Sequence, residues 1–116
     1  MAVLNNYIYQ TPVQTVTLAG AAALVVDLNL GHVVYVNLQA NATSLVLSNV
    51  RAGTRIMFIV KQDVAGGGRT VAWTNLLWPA GTAPVLTVAQ NSIDIVSVLY
   101  DGTSYWADFA LDMKAP

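Results

Sequence analysis

Short runs in which apolar and polar residues alternate dominate this chain. The run RIMFIVK at 55–61 places Ile56, Phe58 and Val60 on one face. Alternation with a period of two predicts a β-strand that has one face in a core. The same pattern predicts strands at His32–Leu38, Ser44–Ser48, Arg55–Lys61, Ser92–Tyr100 and Ser104–Ala110. Shorter runs at Gln14–Leu18, Leu24–Leu28, Thr70–Thr74 and Val85–Val88 bring the total to about eight or nine strands.

Turn signals separate these runs about every 8 to 12 residues, a spacing that is typical of all-β domains. Asp101-Gly102 is the strongest signal, and it predicts a tight type I′ hairpin between the last two long strands. We find no convincing helix, internal repeat or linker. The pattern therefore predicts an all-β fold, an antiparallel β-sandwich, as a single domain over 13–116.

Residues 1–12 precede the regular pattern and end at Pro12. This uncharged segment carries four large apolar or aromatic residues, namely Leu4, Tyr7, Ile8 and Tyr9. Two interpretations stay open. The segment is either an edge strand that packs on its own domain or an N-terminal arm that docks on a neighbouring subunit.

The composition is poor in charge. Charged residues make up 9% of the chain, where about 25% is typical, and the net charge is −1. A monomer with so few charges has a poorly protected surface, so either oligomerisation or a membrane location is indicated. The longest uncharged apolar run near the N-terminus, Leu18–Val26, is shorter than the roughly 20 residues that a spanning helix needs. No secretory signal pattern is present. The composition therefore favours a homo-oligomer and no membrane partner.

Few residues are available for chemistry. Cysteine is absent, which excludes disulfides and thiolate metal sites, and His32 is the only histidine. The six aspartates lack the dense spacing of a calcium loop. The five basic residues are scattered, which argues against a nucleic-acid partner. We therefore expect a protein that is not an enzyme, with no catalytic site, no metal site and no cofactor.

Two loops offer candidate contacts. The run Ala65–Thr70 lacks the Gly-Lys-Ser/Thr ending of a phosphate loop, so its glycines are expected to supply positive φ angles in a hairpin loop. The candidate exposed contacts are Gly66, Gly67, Gly68, Arg69, Trp78 and Pro79. Five aromatic residues are either a sugar-stacking platform or part of the core: Trp73, Trp78, Tyr100, Tyr105 and Trp106.

An ordered set of motifs covers about two-thirds of the chain. It consists of Asn41–Asn49, Phe58–Asp63 with the glycine loop, Arg69–Trp73, Trp78-Pro79, Gly81–Pro84, Ile93–Ile95 and Tyr100–Thr103. Together these motifs resemble a recurrent small β domain of tailed-bacteriophage virion proteins. Such domains occur at the ends of tail fibres and as stand-alone capsid or tail proteins. The resemblance implies a jelly-roll-like sandwich, commonly a trimer, and it supplies no catalytic residues.

The resemblance leaves two functions open. Because no stalk segment precedes the domain in this sequence, the main hypothesis is a homotrimeric capsid decoration (cement) protein that binds the major capsid protein or another virion protein and stabilises the shell. The alternative is a tail-fibre or tail-tip domain that recognises a host-surface glycan. Either hypothesis places the protein in the virion after synthesis in the host cytoplasm.

Overall fold

The computed structural model describes residues 12–116. In this range the chain forms eight strands: β1 (Val13–Leu18), β2 (Ala22–Asp27), β3 (Val33–Leu38), β4 (Ala42–Ser48), β5 (Arg55–Gln62), β6 (Leu76–Leu77), β7 (Ile93–Tyr100) and β8 (Tyr105–Ala110). Short 3₁₀ turns span Leu28–Leu30 and Pro79–Gly81. The predicted all-β fold of about eight strands is confirmed. Within 12–116, no helix has the length and apolar character needed to cross a membrane.

The strands form two sheets that enclose one core. The larger sheet has six strands in the order β1-β3-β5-β7-β8-β6, and the smaller pairs β2 with β4. Inward-facing side chains alternate with outward-facing ones along each strand, as the sequence pattern predicts. The result is a sandwich-like arrangement.

The first five strands pass alternately between the two sheets. Val13 pairs with Val33, and Ala22 pairs with Ala42, in parallel register. In both pairs the partner lies 20 residues further along the chain, and Val33 pairs in turn with Met57, which lies 24 residues beyond it. The chain therefore makes two successive coils of similar length. The corners carry the chain to the opposite sheet instead of turning it back beside the strand just completed. The backbone path therefore repeats from one coil to the next, a feature that alternation of apolar residues does not predict.

The predicted sandwich is confirmed, but the prediction that its strands are antiparallel is wrong for most pairs. The pairs β1–β3, β3–β5, β2–β4 and β6–β8 are parallel. Only β5–β7 and β7–β8 are antiparallel among the described strands. A jelly roll is built from antiparallel neighbours, so the jelly-roll detail is not confirmed. Short two-sheet coils can pair strands in parallel because each return through the second sheet serves as the crossover connection.

The hairpin between β7 and β8 is confirmed, although its turn differs from the prediction. Tyr100 pairs with Tyr105, which leaves a four-residue loop instead of a two-residue type I′ turn. Gly102 has a positive φ of 101°, whereas Asp101 is not among the residues with positive φ. The Asp101 carboxylate organises the loop instead, because its Oδ1 accepts hydrogen bonds from the N–H groups of Thr103 and Ser104 at 2.8 and 2.7 Å.

Aliphatic side chains and two aromatic residues fill the core. Phe58 is fully buried at the centre of the core, and its ring packs edge-on against Trp73 with 5.6 Å between the ring centroids. The Trp73 ring packs against Trp78, with 6.0 Å between the ring centroids, and the Trp78 ring packs against Phe109, with 5.9 Å between the centroids. Burying one such large side chain stabilises the fold by about 1.5–3 kcal/mol. The aromatic chain thus joins β5 and β8 to the irregular segment between β5 and β7.

That segment replaces two predicted strands. Thr70–Thr74 and Val85–Val88 are not strands, apart from an isolated bridge between Val71 and Ala42. Buried polar side chains at the ends of β5 and β7 hold the segment instead. The Asp94 carboxylate, for example, accepts two bonds from Thr87, through its N–H and its hydroxyl, each at 2.7 Å. In this segment, hydrogen bonds from side chains therefore bind backbone groups that a neighbouring strand would otherwise bind.

Candidate functional site

The outward surface of the six-stranded sheet, hereafter the outer face, is mostly apolar. Cross-strand register places four rows of side chains on it. Three are mainly apolar: Val13, Val33, Met57, Ser97 and Asp108; Thr15, Tyr35, Ile59, Ile95 and Ala110; and Arg55, Leu99, Trp106 and Leu77. The fourth is mainly polar: Thr17, Asn37, Lys61 and Ile93. Val13, Leu77 and Trp106 are each about half exposed or more. Strands with apolar side chains on both faces are typical of sheets that are covered on both sides.

A groove of about 670 Å³ runs along one end of the outer face, hereafter the Trp106 groove. Its walls include Val33, Met57, Leu99 and Trp106. Charged and polar groups also line it, including Arg55, Asp108, His32 and Ser97. The groove has the volume of a small-molecule pocket, but its walls are mostly apolar, which matches the centre of a protein–protein contact better than a hydrophilic ligand.

Trp106 is held in place although it is 52% exposed. Its indole Nε1 donates a hydrogen bond of 2.9 Å to Oδ2 of Asp101 in the hairpin loop. The N–H of Ser104, then the Trp106 indole, then the N–H of Thr103 lower the pKa of Asp101 below its ordinary value. Asp101 therefore stays ionised over the physiological range and orients an exposed aromatic ring in advance of any contact.

The predicted glycine loop packs against its own domain. The Gln62 side chain is buried, and it bonds both the N–H and the C=O of Arg69 at 2.9 and 3.0 Å. The Arg69 guanidinium forms an ion pair with Asp63 at 3.1 Å. The N–H of Ala65 is the main cause of the lowered pKa of Asp63, with Arg69 adding to it and burial opposing it.

Within this loop, Gly67 and Gly68 have the positive φ angles that the sequence predicts, at 67° and 68°. The loop is not a hairpin, because the antiparallel partner of β5 is β7, which follows after the irregular segment. Gly66 and Gly68 are exposed. A role for Gly66, Gly67, Gly68 and Arg69 in contacting a partner stays a prediction.

The second predicted contact loop contributes mainly to packing. The Trp78 ring is partly buried between Trp73 and Phe109, and Pro79 is exposed beside it. The five aromatic residues do not form one platform. Trp73 and Trp78 belong to the core assembly, Tyr100 and Tyr105 stack on each other at 4.4 Å, and Trp106 stands on the outer face. The four residues of the predicted docking arm, Leu4, Tyr7, Ile8 and Tyr9, lie outside the described range.

A second, smaller groove of about 210 Å³ lies between β4 and the start of β8, hereafter the Tyr105 groove. Leu45, Val46 and Leu47 form one wall, Thr74, Asn75 and Leu76 form another, and Tyr105 completes it. The Thr74 hydroxyl accepts a bond from the N–H of Leu45 at 3.0 Å and donates one to its C=O at 2.9 Å. Sequence reasoning missed this groove, because it depends on a contact between residues 29 positions apart.

The remaining polar residues of the described range include His32 and Asp27. Among residues 12–116, no group of three His, Cys, Asp or Glu side chains is placed to hold a metal ion. His32 lines the Trp106 groove and its C=O accepts the N–H of Met57 at 2.9 Å. Asp27 caps a 3₁₀ turn, and its pKa is lowered mainly by the Asn49 amide at 2.7 Å and also by the N–H of Asn29. These contacts fix corners of the fold.

Comparison with known proteins gives one family. The sequence model of a family described as "Putative phage tail fibre C-terminal domain" matches residues 7–105. That range includes both grooves apart from the groove-lining residues Trp106, Ala107 and Asp108. No curated protein and no solved structure gives a significant match.

Proposed function

The chain belongs to the family of phage tail fibre C-terminal domains, and from that premise we propose that it is the tip domain of a tail fibre, that it assembles as a homotrimer through its outer face, and that it attaches the particle to a host-surface glycan. As a member of that family it is a structural phage protein and a component of the virion. The family description favours the tail over the capsid. The capsid-decoration hypothesis stays a prediction without support of its own.

The apolar outer face carries the assembly proposal. Five neighbouring strands about 4.8 Å apart and about 20 Å long span a face of roughly 500 Å². Contiguous apolar patches larger than a few hundred Å² mark interaction sites on soluble proteins. Only Arg55, Lys61 and Asp108 bring charge to the outward positions of β1, β3, β5, β7 and β8. A second copy of the same chain, which is equally poor in charge, suits such a face. The proposed number of three subunits comes from the resemblance to phage virion domains, which are commonly trimers.

Trp106 and Met57 have the features of anchors in this contact. Large aromatic residues held rigidly at the centre of an interface contribute most of its binding energy. The Asp101 hydrogen bond restricts the Trp106 ring before association, which lowers the entropy cost of binding. Met57 lines the same groove from β5 and is 40% exposed.

Sedimentation of two matched variants tests the assembly. The unmodified protein should sediment at about three times the 12.3 kDa chain mass. Met57→Lys should shift it to the monomer, because a lysine in the contact would bury an unpaired charge. Val25→Lys is the control, since Val25 is 58% exposed on the other sheet and should leave the trimer intact. A monomeric unmodified protein, or a trimer that survives Met57→Lys, overturns the proposed interface.

Labelling of virions tests the position in the particle. Gold-labelled antibody against this chain should decorate the distal ends of the tail fibres in electron micrographs. Label distributed over the head would contradict the tail position and support the capsid-decoration hypothesis instead.

A further inference from the structure

We infer that the Tyr105 groove binds a single sugar ring, so that this groove, and not the Trp106 groove, is the glycan-contacting site. The inference rests on the proposed attachment function and names the surface responsible for it. It also separates the two grooves by role, one for assembly and one for the host.

The size and walls of the Tyr105 groove fit a sugar. Its volume of about 210 Å³ is below the roughly 300–1,000 Å³ that drug-sized ligands occupy, so it accommodates one ring and not an extended chain. Tyr105 offers an aromatic surface, and Asn75 offers an amide that both donates and accepts hydrogen bonds. A pyranose ring combines an apolar face with a rim of hydroxyl groups and so needs both kinds of wall.

The backbone at the edge of β4 adds further polar groups. Leu45 directs its N–H and C=O away from β2, since the Thr74 hydroxyl binds both. Because backbone groups alternate sides along a strand, Leu47 directs its own N–H and C=O to the same side, where the groove lies. These groups are fixed in position by the sheet and require no reorganisation to meet a ligand hydroxyl.

The same geometry disfavours an added peptide strand. Strand addition needs a run of alternating N–H and C=O groups along an open edge. Here the Thr74 hydroxyl already binds the backbone groups of Leu45, and β4 ends at Ser48. On this side of the strand, beyond Leu45, only Leu47 can offer its N–H and C=O to a ligand. One residue is enough to hold a hydroxyl group and too little to hold a peptide ladder.

The position of the Tyr105 groove keeps it compatible with assembly. Tyr105 and Trp106 are neighbours on β8, so their side chains point to opposite faces of the sheet. Contact between copies through the outer face therefore buries Trp106 and leaves the Tyr105 side facing away. A trimer would present three such grooves, and multivalent attachment gains strength even when each site binds weakly.

A substitution at Asn75 tests the site with a matched control. Asn75 has a positive φ of 67°, so Asn75→Gly removes the amide without straining the backbone. Asn91 is also exposed, with φ of 62°, and lies outside both grooves, so Asn91→Gly is the control. The probes are free glucose, galactose, rhamnose, N-acetylglucosamine and N-acetylgalactosamine, each titrated into the isotope-labelled trimer while backbone amide resonances are recorded.

At least one of these sugars should shift the Leu47, Asn75 and Tyr105 amide resonances in a saturable way. Asn75→Gly should lower the affinity for that sugar about three- to tenfold, as expected for one lost hydrogen bond. Asn91→Gly should leave the affinity unchanged. If none of the five sugars shifts these resonances, or the shifts map to the Trp106 groove, the inference is overturned. The trimer and the label at the fibre tips would still stand, so its failure is distinct from failure of the proposed position in the virion.

Discussion

The indole Nε1 of Trp106 and the Oδ2 of Asp101 are joined by a 2.9 Å hydrogen bond across the β7–β8 hairpin loop. The same carboxylate closes the loop through its other oxygen, which accepts two backbone N–H groups. One side chain therefore sets both the shape of the turn and the direction of the exposed ring beside it. Local turn chemistry is in this way coupled to the surface that we propose for assembly.

Asp101→Asn separates these two roles. The amide oxygen can still accept the N–H groups of Thr103 and Ser104, but the amide nitrogen cannot accept the indole N–H. We expect the hairpin to form and the trimer to weaken about three- to tenfold, because Trp106 loses its orientation. Sedimentation equilibrium over a range of concentrations measures the change.

Asp112→Asn is the control for Asp101→Asn. Asp112 is exposed, and within 12–116 its carboxylate pairs with the exposed Lys114 ammonium at 2.8 Å, so loss of this charge should leave assembly unaltered. Equal association constants for Asp101→Asn and the unmodified protein would show that orientation of Trp106 does not matter.

Acid should destabilise the fold through three carboxylates. The pKa values of Asp27, Asp63 and Asp101 are all lowered from 3.8 by hydrogen bonds in the folded state. A group whose pKa is lower when folded stabilises the fold above its unfolded pKa, and that stabilisation is lost as pH falls through the folded pKa. Urea unfolding should give a free energy that is level from neutral pH to about pH 5 and falls below about pH 4. Asp63→Asn should reduce the loss of unfolding free energy between about pH 5 and lower pH. The same pH dependence in that variant and in the unmodified protein would exclude Asp63 as a contributor.

Five of the six strands of the larger sheet were predictable from the sequence, whereas β6 and the pairing of the strands were not. Alternation located β3, β5, β7 and β8 to within one or two residues, because one face of each strand is buried. Alternation carries no information on the direction of a neighbouring strand. The first coil carries a trace of its 20-residue period, because Val13, Val16 and Leu18 each pair with an identical residue in Val33–Leu38. These matches involve only Val and Leu, which are common in strands of such sheets, so they do not identify a repeat.

The segment between β5 and β7 was the least predictable part. Thr70–Thr74 and Val85–Val88 have strand-forming residues, yet side chains hold the backbone in and beside both runs. Gln62 donates to the C=O groups of Arg69 and Thr87, and Asp94 accepts the N–H of Thr87. The N–H of Thr70 donates to the Asn41 side chain. The Tyr105 groove depends on this irregular path, since it brings Thr74 and Asn75 to the edge of β4. Long-range contacts of this kind leave no local signature in the sequence.

Gly67 should tolerate no side chain. A Cβ atom there would lie 2.3 Å from the C=O oxygen of Val88, and the φ of 67° disfavours any residue with a side chain. We expect Gly67→Ala to reduce the free energy of unfolding by about 1–3 kcal/mol or more, measured by urea titration. Gly20→Ala is the matched control, since a Cβ at Gly20 meets nothing within 4 Å. Equal stability of the two variants would contradict the close approach of the loop to Val88.

Asp94 should be the principal tie between β7, the irregular segment and the C-terminal tail. Its carboxylate is buried, and besides Thr87 it accepts the N–H of Asp112 at 2.8 Å. Asp94→Ala leaves three donors without their acceptor and should reduce the free energy of unfolding by about 2–4 kcal/mol. Thr87→Val removes only the hydroxyl and should cost about 1 kcal/mol. Hydrogen exchange should quicken at Thr87 and Asp112 in the alanine variant but only near Thr87 in the valine variant. Unchanged protection of the Asp112 amide in Asp94→Ala would show that the tail is held by other contacts, such as the bond between the Met113 N–H and the Ile93 C=O at 2.8 Å.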